Sequence, residues 1–494
     1  MTVTGGTLKA SGSPVDIQVG GNYTQTGGQL DLRIGGATGG AFDQLAVVGH
    51  ASLAGRLNIS TFNGYVPTRG TDITIVTAGG GVSGRFQQVT GSLTTLPEIN
   101  FSLEYQPNDV VLQFNGTTFE DIVGLTPNQK AVAAALDNAA INAKSNKVVD
   151  YLDALPARSI PAALDRIAPE EYASIYQISI SSAKLQATSI ENRLDAVHGV
   201  RTAAGGPTGA PDANNPSAVN PATSLGSVFA NASGEFVSIG DSSNAAGYNF
   251  SSGGVTIGAD YRFNDNFVAG VLLNYTRTRA DLVNNGRLDA DGIRGGVYAS
   301  YFGSGAYVNA YLGAGYNDYS MQRAGLDTTV RGNTNGGEFN GLVQGGYDAH
   351  IGAYTFGPVA SIQYTYTGLS SLVEQGSIDP LNVDSYREQS ARTNVGVRAT
   401  YEWHIGHYIL TPEIRATYQH EFADVVDSVT AGMLFGGPRF TVAGPEIGRD
   451  SILLNVGFTL TITPQISGYL FYDGEVGRSN YQDNNLLLGF RYDF

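Results

Sequence analysis

The sequence predicts an all-β protein: a 12-stranded transmembrane antiparallel β-barrel with a lumenal α-helix, preceded by a right-handed β-helix segment and a short helical region. Three observations lead to this fold class. Apolar and polar residues alternate from residue 225 to the C-terminus, the connections between these segments alternate in length, and a long polar helical segment lies upstream. No run of about 18 apolar residues is present, so an ordinary transmembrane helix is not expected.

A short repeat opens the chain. Thr4-Gly5-Gly6-Thr7-Leu8 recurs 22 residues later as Thr26-Gly27-Gly28-Gln29-Leu30, and short alternating runs punctuated by Gly and Asn follow. A period near 20 residues with one or two strands per repeat favours a β-solenoid over 1–118. A β-sandwich is the alternative. Because Met1 falls inside the repeat and no leader precedes it, a longer precursor with a signal peptide is expected.

The apolar period changes at Thr126, which begins a helical region. Thr126 suits an N-cap, Pro127 the first helical position and Gln129 the third, so 119–168 is predicted to be a helical junction. A second helix is predicted over 169–200. Its small and polar composition fits a polar, water-containing tube, with an exposed connector as the alternative. Residues 201–224 are rich in Pro, Gly and Asn and are predicted to form a flexible linker.

The predicted barrel occupies 225–494. Leu454, Val456 and Phe458, for example, alternate with Asn455 and Gly457, and twelve such segments can be counted. Tight turns at one rim and long polar loops at the other are typical of outer-membrane barrels. The tight turns are predicted at Asn264-Asp265, Gly303-Ser304-Gly305, Ile351-Gly352, Ile405-Gly406 and Pro464-Gln465; the long loops at 241–246, 281–289, 323–337, 368–389, 423–449 and 477–484.

The last strand shows the pattern most clearly. Apolar or aromatic residues fill every second position and would face lipid: Leu486, Leu488, Phe490, Tyr492 and Phe494. Charged residues take the opposite parity on several strands and are predicted to form a lumenal charged wall: Arg392, Arg398, Glu402, Glu413, Arg415, Asp473, Glu475 and Arg491.

Composition excludes some functions. With 28 Lys and Arg against 44 Asp and Glu, the formal net charge is −16, and nucleic acid is not an expected partner because its phosphates require a basic face. Cys is absent, so no disulfide can form, which suits a chain that crosses a pore unfolded.

The order of these elements resembles the C-terminal part of a bacterial autotransporter of the monomeric type V secretion class. The resemblance rests on that order, on Tyr472-Asp473-Gly474-Glu475 before the last strand, on the aromatic-x-Phe ending, and on the segment 119–172, which is similar to the post-passenger region. It implies a monomeric barrel anchored in outer-membrane lipid, an N-terminal passenger at the cell surface, and no cofactor.

The resemblance also implies partners and site residues. Barrel-assembly machinery and periplasmic chaperones would read the terminal strand, so Leu486, Leu488, Phe490, Tyr492 and Phe494 are the expected assembly signal. A host or cell-surface ligand would bind an adhesive or structural passenger. Some members cut themselves in the lumenal helix at an Asn-Asn pair; here Arg193 follows Asn192, which makes Asn192 a cleavage candidate that departs from the pattern.

Enzyme activity is not predicted. Gly240-Asp241-Ser242 resembles the nucleophile block of a lipase family, but it falls in the first long loop, and no G-x-S-x-G elbow is present. His404 and His407 are separated by a turn, so no metal pair is expected. The main alternative to a translocator is an outer-membrane diffusion channel, for which the polar helix and the solenoid would be superfluous; a surface esterase is the third reading.

Overall fold

The computed structural model describes residues 1–67, 70–95, 101–115, 118–142, 146–204 and 225–494. They form two compact units. The first comprises Met1–Leu125, Gln129–Ile167 and Phe435–Pro438, and the second comprises Thr126–Asn128, Ala168–Leu434 and Arg439–Phe494. Within the described ranges, no helix combines the length and the apolar character that a membrane span requires.

The first unit is built from short strands stacked in parallel. The predicted repeat is the stacking interval, because Thr7 pairs with Gln29 and Leu8 with Leu30. Their inward side chains, such as Leu30 and Leu57, form one closed apolar core. The strands lie in three sheets: Thr2–Val3, Tyr23–Gln25, Ala51–Leu53 and Val82–Gly84; Thr7–Lys9, Gln29–Ile34, Arg56–Thr61 and Gln88–Thr90; and Asp16–Val19, Gln44–Val47 and Asp72–Ala78, which the antiparallel pair Asp109–Phe114 and Phe101–Tyr105 extends.

Three helices follow the strands, as the change of period predicts. The first begins at Pro127, where the sequence places the helix start. Asn146 caps the second, since its side chain accepts hydrogen bonds from the backbone N–H groups of Val148 (2.9 Å) and Val149 (3.5 Å). The helices span Pro127–Asn142, Lys147–Asp153 and Ile160–Ile167.

The second unit contains a closed antiparallel barrel of twelve strands. Its first strand pairs with its last, with Ala230 opposite Phe490, so the barrel closes within one chain and leaves no edge. The strands are Gly226–Ile239, Tyr248–Asn264, Phe267–Asp281, Arg287–Gly303, Ala306–Ala324, Thr329–Tyr347, Tyr354–Leu369, Tyr386–Tyr401, Tyr408–Glu421, Asp450–Thr461, Ile466–Val476 and Tyr481–Asp493.

The two rims differ in connection length, with two corrections. The predicted long loop 323–337 is wrong: strands Ala306–Ala324 and Thr329–Tyr347 pair almost to their tips and leave four residues between them. The Gly and Asn residues of 323–337 belong to a strand that continues beyond the apolar zone. The predicted long loop 477–484 is also wrong, because the last two strands leave only residues 477–480 between them. The connections 370–385 and 422–449 are long and fold together into a cap sheet of Leu372–Val373, Leu381–Val383, Ser428–Met433 and Phe440–Ala443.

The barrel exposes its apolar face. Val456, Leu486, Leu488, Phe490, Tyr492 and Phe494 are exposed, whereas Asn455 and Arg491, of opposite parity, are buried. The predicted register is therefore correct for these strands. A band of exposed aliphatic side chains bordered by aromatic residues is the surface that a bilayer requires.

A long helix, Ser174–Ala204, fills the barrel and is called the lumenal helix below. Just before its start, the Tyr172 hydroxyl donates to Glu374 (3.0 Å) in a long connection. Near its end, Val197 packs with Val268, Phe302 and Tyr307 beside the short turns. The predicted bounds 169–200 are shifted, because 170–173 form a 3-10 turn and 201–204 are helical rather than linker. The remaining linker prediction, 205–224, lies outside the described residues.

Candidate functional site in the barrel lumen

One face of the lumenal helix is tied to the last two strands by Lys184. Its Nζ donates to Glu475 Oε2 and Asp483 Oδ2, both at 2.6 Å. Arg478 also contacts Glu475 (3.4 Å). These carboxylates are buried, so Lys184 supplies the countercharge that makes their burial tolerable.

Two to three turns further along, the same face meets an arginine pair on neighbouring strands. Arg415 contacts Asp195 and Glu191 of the helix, the latter at 3.3 Å. Arg398 donates to both carboxylate oxygens of Glu413 at 3.0 and 3.1 Å and lies 3.7 Å from Asp195. Charges of helix and wall therefore alternate, which fixes the helix in rotation as well as in depth.

The helix end is held by a third cluster. Arg193 donates to Asp260 through Nε (2.8 Å) and Nη2 (2.7 Å) and also contacts Ser227. The Tyr298 hydroxyl donates to the same carboxylate at 2.8 Å. Because Asp260 and Ser227 lie on the first two strands, the helix is anchored on both sides of the seam at which the barrel closes.

The opposite face of the helix is apolar, which corrects the prediction of a polar, water-containing tube. Ala187, Ile190 and Leu194, at i, i+3 and i+7, pack in one buried cluster. Their wall partners are Phe229, Leu272, Tyr298, Tyr311 and Leu342. The sequence shows few large apolar residues in the helix, but the wall supplies aromatic rings that complete this dry side.

A cavity of about 50 Å³ remains between the charged face of the lumenal helix and the barrel wall. Lys184, Glu191, Arg415, Asn455 and Asp473 are among its lining residues. A polar space of that size holds a few water molecules, at roughly 10–15 Å³ each. Among the described residues, the helix therefore leaves little free space beside Lys184 and Glu191.

Seven of the eight predicted wall residues lie on the lumenal side of their strands. Arg392 donates to Glu421 (2.8 Å), Asn455 donates to Asp473 (2.6 Å), and Arg491 lies 3.0 Å from Asp493. Glu402 differs: it lies half-buried beyond the end of its strand, and its backbone N–H donates to Ala353 O (2.9 Å).

Sequence reasoning missed three groups of the wall. Arg294 contacts Glu338 inside the barrel, Arg323 donates to Glu374 (2.6 Å) at the long-loop mouth, and Glu235 accepts from Ser181 of the helix (2.5 Å). The alternation along the strand contains the signal, because Arg294 follows the exposed Ile293 and therefore points into the lumen.

The remaining sequence candidates have unremarkable surroundings. Asn192 is buried, and its amide atoms have no hydrogen-bond partner among the described residues. Ser242 closes a loop turn, where its hydroxyl accepts from Ala245 N (3.0 Å). In the described part of the chain, no three His, Asp or Glu side chains are placed to hold a metal ion.

Comparison with known proteins gives one family and several distant relatives. Residues 228–473 match the family model "Autotransporter beta-domain". An "Extracellular serine protease" of Serratia marcescens is 24% identical over 90% of this chain and 45% of its own length. "Esterase EstA" of Pseudomonas aeruginosa is 25% identical over 46% of this chain and 36% of its own. The chain thus spans less than half the length of these curated relatives.

Solved structures similar to this chain include two autotransporter domains. That of NalP from Neisseria meningitidis is 16% identical, with a TM-score of 0.48 over 65% of this chain and 99% of its own. The beta domain of the Bordetella autotransporter BrkA is 19% identical, with a TM-score of 0.44 over 55% of this chain and 100% of its own. The family match covers nine complete strands and most of the first and the eleventh in a barrel that closes within one chain and holds a helix. The chain belongs to the autotransporters, and its barrel is an outer-membrane translocator domain that is not itself catalytic.

Proposed function

We propose that 1–118 are the C-terminal part of a passenger, that 119–168 are its junction, and that the barrel exports and then anchors this passenger at the cell surface. The observation that carries the proposal is the direction of the lumenal helix. Tyr172 lies at the long-loop mouth and Val197 near the short turns, so the lumenal helix begins at the long-loop side and ends at the short-turn side. Long loops face the exterior in this class of barrel.

The helix would also seal the barrel after export. Lys184, Arg193 and Asp195 bind the wall on different strands, while Ile190 and Leu194 remove the remaining space. A helix free to slide would lose all of these contacts together. This arrangement favours a translocator over a diffusion channel, in which an open lumen is needed.

Single-channel conductance tests the seal. Deleting 169–198 from the full chain should raise conductance severalfold, because the deletion empties the lumen of a 12-stranded barrel. The matched control is the full chain with Lys184→Gln, which weakens one anchor but keeps the helix in place and should raise conductance only slightly. Equal conductance of the deletion variant and the unaltered chain would contradict the seal.

The terminal strand is proposed as the assembly signal that barrel-assembly machinery and periplasmic chaperones recognise. Its outward residues continue the lipid face, and Phe494 N donates to Gly226 O (2.9 Å) at the closing seam. Changing Tyr492 and Phe494 to Ser should leave protein in the periplasm, without surface-exposed passenger. Tyr261→Ser with Phe263→Ser, at the same rim on an internal strand, is the control. Protease accessibility on whole cells measures display; normal display by the terminal variant would refute the signal.

We infer that the passenger segment in this chain is a structural or adhesive stalk with a host or cell-surface ligand, and not the catalytic part of an enzyme. The relatives named as a serine protease and an esterase extend well beyond the length matched here. Residues 1–118 contain one histidine, His50, whose ring nitrogens contact Gly80 O (3.0 Å) and Ser83 Oγ (2.7 Å) on exposed turns. A fluorophosphonate probe that labels Ser83 would overturn this inference.

Asn192 remains a proposal as a cleavage position. Its buried amide, without a partner among the described residues, is free to attack its own carbonyl carbon, but Arg193 is held by Asp260 and resists the backbone rotation that cyclisation needs. We expect the helix to stay intact. The intact mass of the surface-displayed protein checks this, and a fragment beginning at Arg193 would show that the bond is cut.

A further inference from the structure

The outer surface of the barrel carries a groove across its closing seam, called the seam groove here. It has a volume of about 340 Å³, which lies at the lower end of the range for small-molecule sites. Outward side chains of the last strand and the first three strands line it: Gln482, Asn484, Phe236, Asn249, Ser251 and Arg279. None of them takes part in the lumenal contacts.

The depth of the groove in the membrane follows from the strand pattern. On the last strand, the outward aliphatic residues end at Leu486, and Asn484 and Gln482 come next toward the long loops. On the second strand, Val255 ends the aliphatic row below Ser251. At about 3.3 Å per residue, the groove begins roughly 7 Å along the last strand beyond Leu486, which the tilt of the strand shortens to about 5 Å along the membrane normal. That is the headgroup layer of the outer leaflet, continuous with the lipid-facing surface.

Phe236 provides a flat apolar surface within this polar setting. It is 66% exposed, and the residues opposite it on the two neighbouring strands are Ser251 and Asn484. An exposed phenylalanine ring forfeits the stabilisation that burial of its apolar surface would provide. Polar neighbours make it a poor contact for acyl chains. The face of a pyranose ring suits it, since its C–H groups can cover the phenyl ring while its hydroxyls reach amide and hydroxyl partners.

Arg279 adds a cation at the edge of the groove. Its Nε donates to Asp289 Oδ1 (3.1 Å), which orients the guanidinium, and its side chain is 54% exposed. Its terminal nitrogens have no partner among the described residues and can donate to a phosphate. Asp281 also lines the groove. A carboxylate beside a phosphate is compatible with binding because outer-leaflet phosphates carry divalent cations that bridge the two.

We propose that the seam groove binds the phosphorylated saccharide headgroup of an outer-leaflet glycolipid. Phe236 stacks on a sugar ring, Asn249, Ser251 and Asn484 contact hydroxyls, and Arg279 takes a phosphate. Asn484 is preset for this, because its Oδ1 accepts from the Tyr472 hydroxyl (2.6 Å) and its NH₂ group is left for the ligand. The bound lipid would lie against the strand pair that closes the barrel.

Native mass spectrometry of the refolded full chain, with purified lipid A as the probe, tests the proposal. Phe236→Ala should reduce retained lipid A at least about tenfold, the loss expected for an aromatic anchor. Arg279→Gln should reduce it similarly, yet leave retention of dephosphorylated lipid A unchanged. Phosphatidylglycerol should not be retained by any form.

Two matched variants serve as controls. Phe263→Ala removes a phenylalanine that is 62% exposed at the opposite rim, and Arg277→Gln removes the preceding outward arginine of the same strand, outside the groove. Both should retain lipid A as the unaltered chain does. Heat-dependent gel mobility verifies that each variant is folded. Equal retention by the groove and control variants, or equal retention of phosphatidylglycerol, would overturn the proposal.

Discussion

The first unit and the barrel are both built from alternating strands, but they bury opposite sets of residues. In the first unit, Leu30 and Leu57 lie in a closed core, and the polar positions that alternate with them along the strands reach solvent. In the barrel, Val456 is exposed and Asn455 is buried. A period of two therefore determines which residues share a face, but it leaves open which face points inward.

What separates the two cases is the content of the interior. The core of the first unit is filled by its own side chains. The barrel encloses a helix that carries Lys184, Glu191, Arg193 and Asp195, so its inward residues must provide countercharges and hydrogen bonds. Charged residues that occupy only alternate positions of the strands thus indicate a barrel with a polar interior and an apolar exterior.

The largest effect should come from breaking a buried ion pair inside the barrel. Arg294 contacts Glu338 and donates to Asn317 (3.0 Å), and its side chain is 1% exposed. Arg294→Ala leaves Glu338 buried without its cation and should cost about 3–5 kcal/mol. Arg277→Ala, which removes an exposed pair with Asp291 (3.9 Å), should cost about 0–1 kcal/mol. Urea-induced unfolding of the refolded barrel measures both, and similar midpoints would show that the interior charges are not critical.

Leucine truncation tests the comparison in each unit. Leu57→Ala creates a cavity in the core of the first unit and should lower the free energy of unfolding by about 2–5 kcal/mol. Leu312→Ala on the outer barrel surface leaves space that lipid fills and should cost less than about 1 kcal/mol. Hydrogen exchange of peptides from each unit reports the two effects separately. A larger loss of stability for Leu312→Ala than for Leu57→Ala would reverse the assignment of inner and outer faces.

Arginine substitution measures the lipid face directly. Val456→Arg, in the middle of its strand, should destabilise the barrel by about 2–4 kcal/mol if it faces the bilayer midplane. Thr459→Arg, of the opposite parity, reaches the lumenal side and should cost much less. Folding yield in vesicles, read from heat-dependent gel mobility, compares the two, and equal yields would contradict the register.

The sequence predicts most of this architecture, because the features that indicate strands and helix starts lie within short segments. Alternation in 454–458, the last strand and the Thr126-Pro127 helix start each depend on a few neighbouring residues. The interior could not be derived in the same way. That Ile190 and Leu194 would meet Phe229 and Tyr298 depends on the rotation of the helix inside the barrel, which no single segment encodes. The same holds for the cap sheet, whose strands come from two connections far apart in the chain.

The smallest effect is local and depends on pH. Glu171, at the long-loop mouth, is buried, and burial raises the pKa of its carboxyl to about 8, against the lowering effect of Arg323 and with further increases from Glu170 and Glu374. The folded state therefore favours the neutral form, and the stability this provides is present below pH 4.5 and is lost as pH rises toward 8. Hydrogen exchange around Tyr172, corrected for its intrinsic pH dependence, should show easier opening at pH 9 than at pH 6. Glu171→Gln should keep the mouth closed at both values, whereas Glu446→Gln in an exposed loop should behave like the unaltered chain. An unchanged pH response in Glu171→Gln would show that the protonation of another group controls the opening of the mouth.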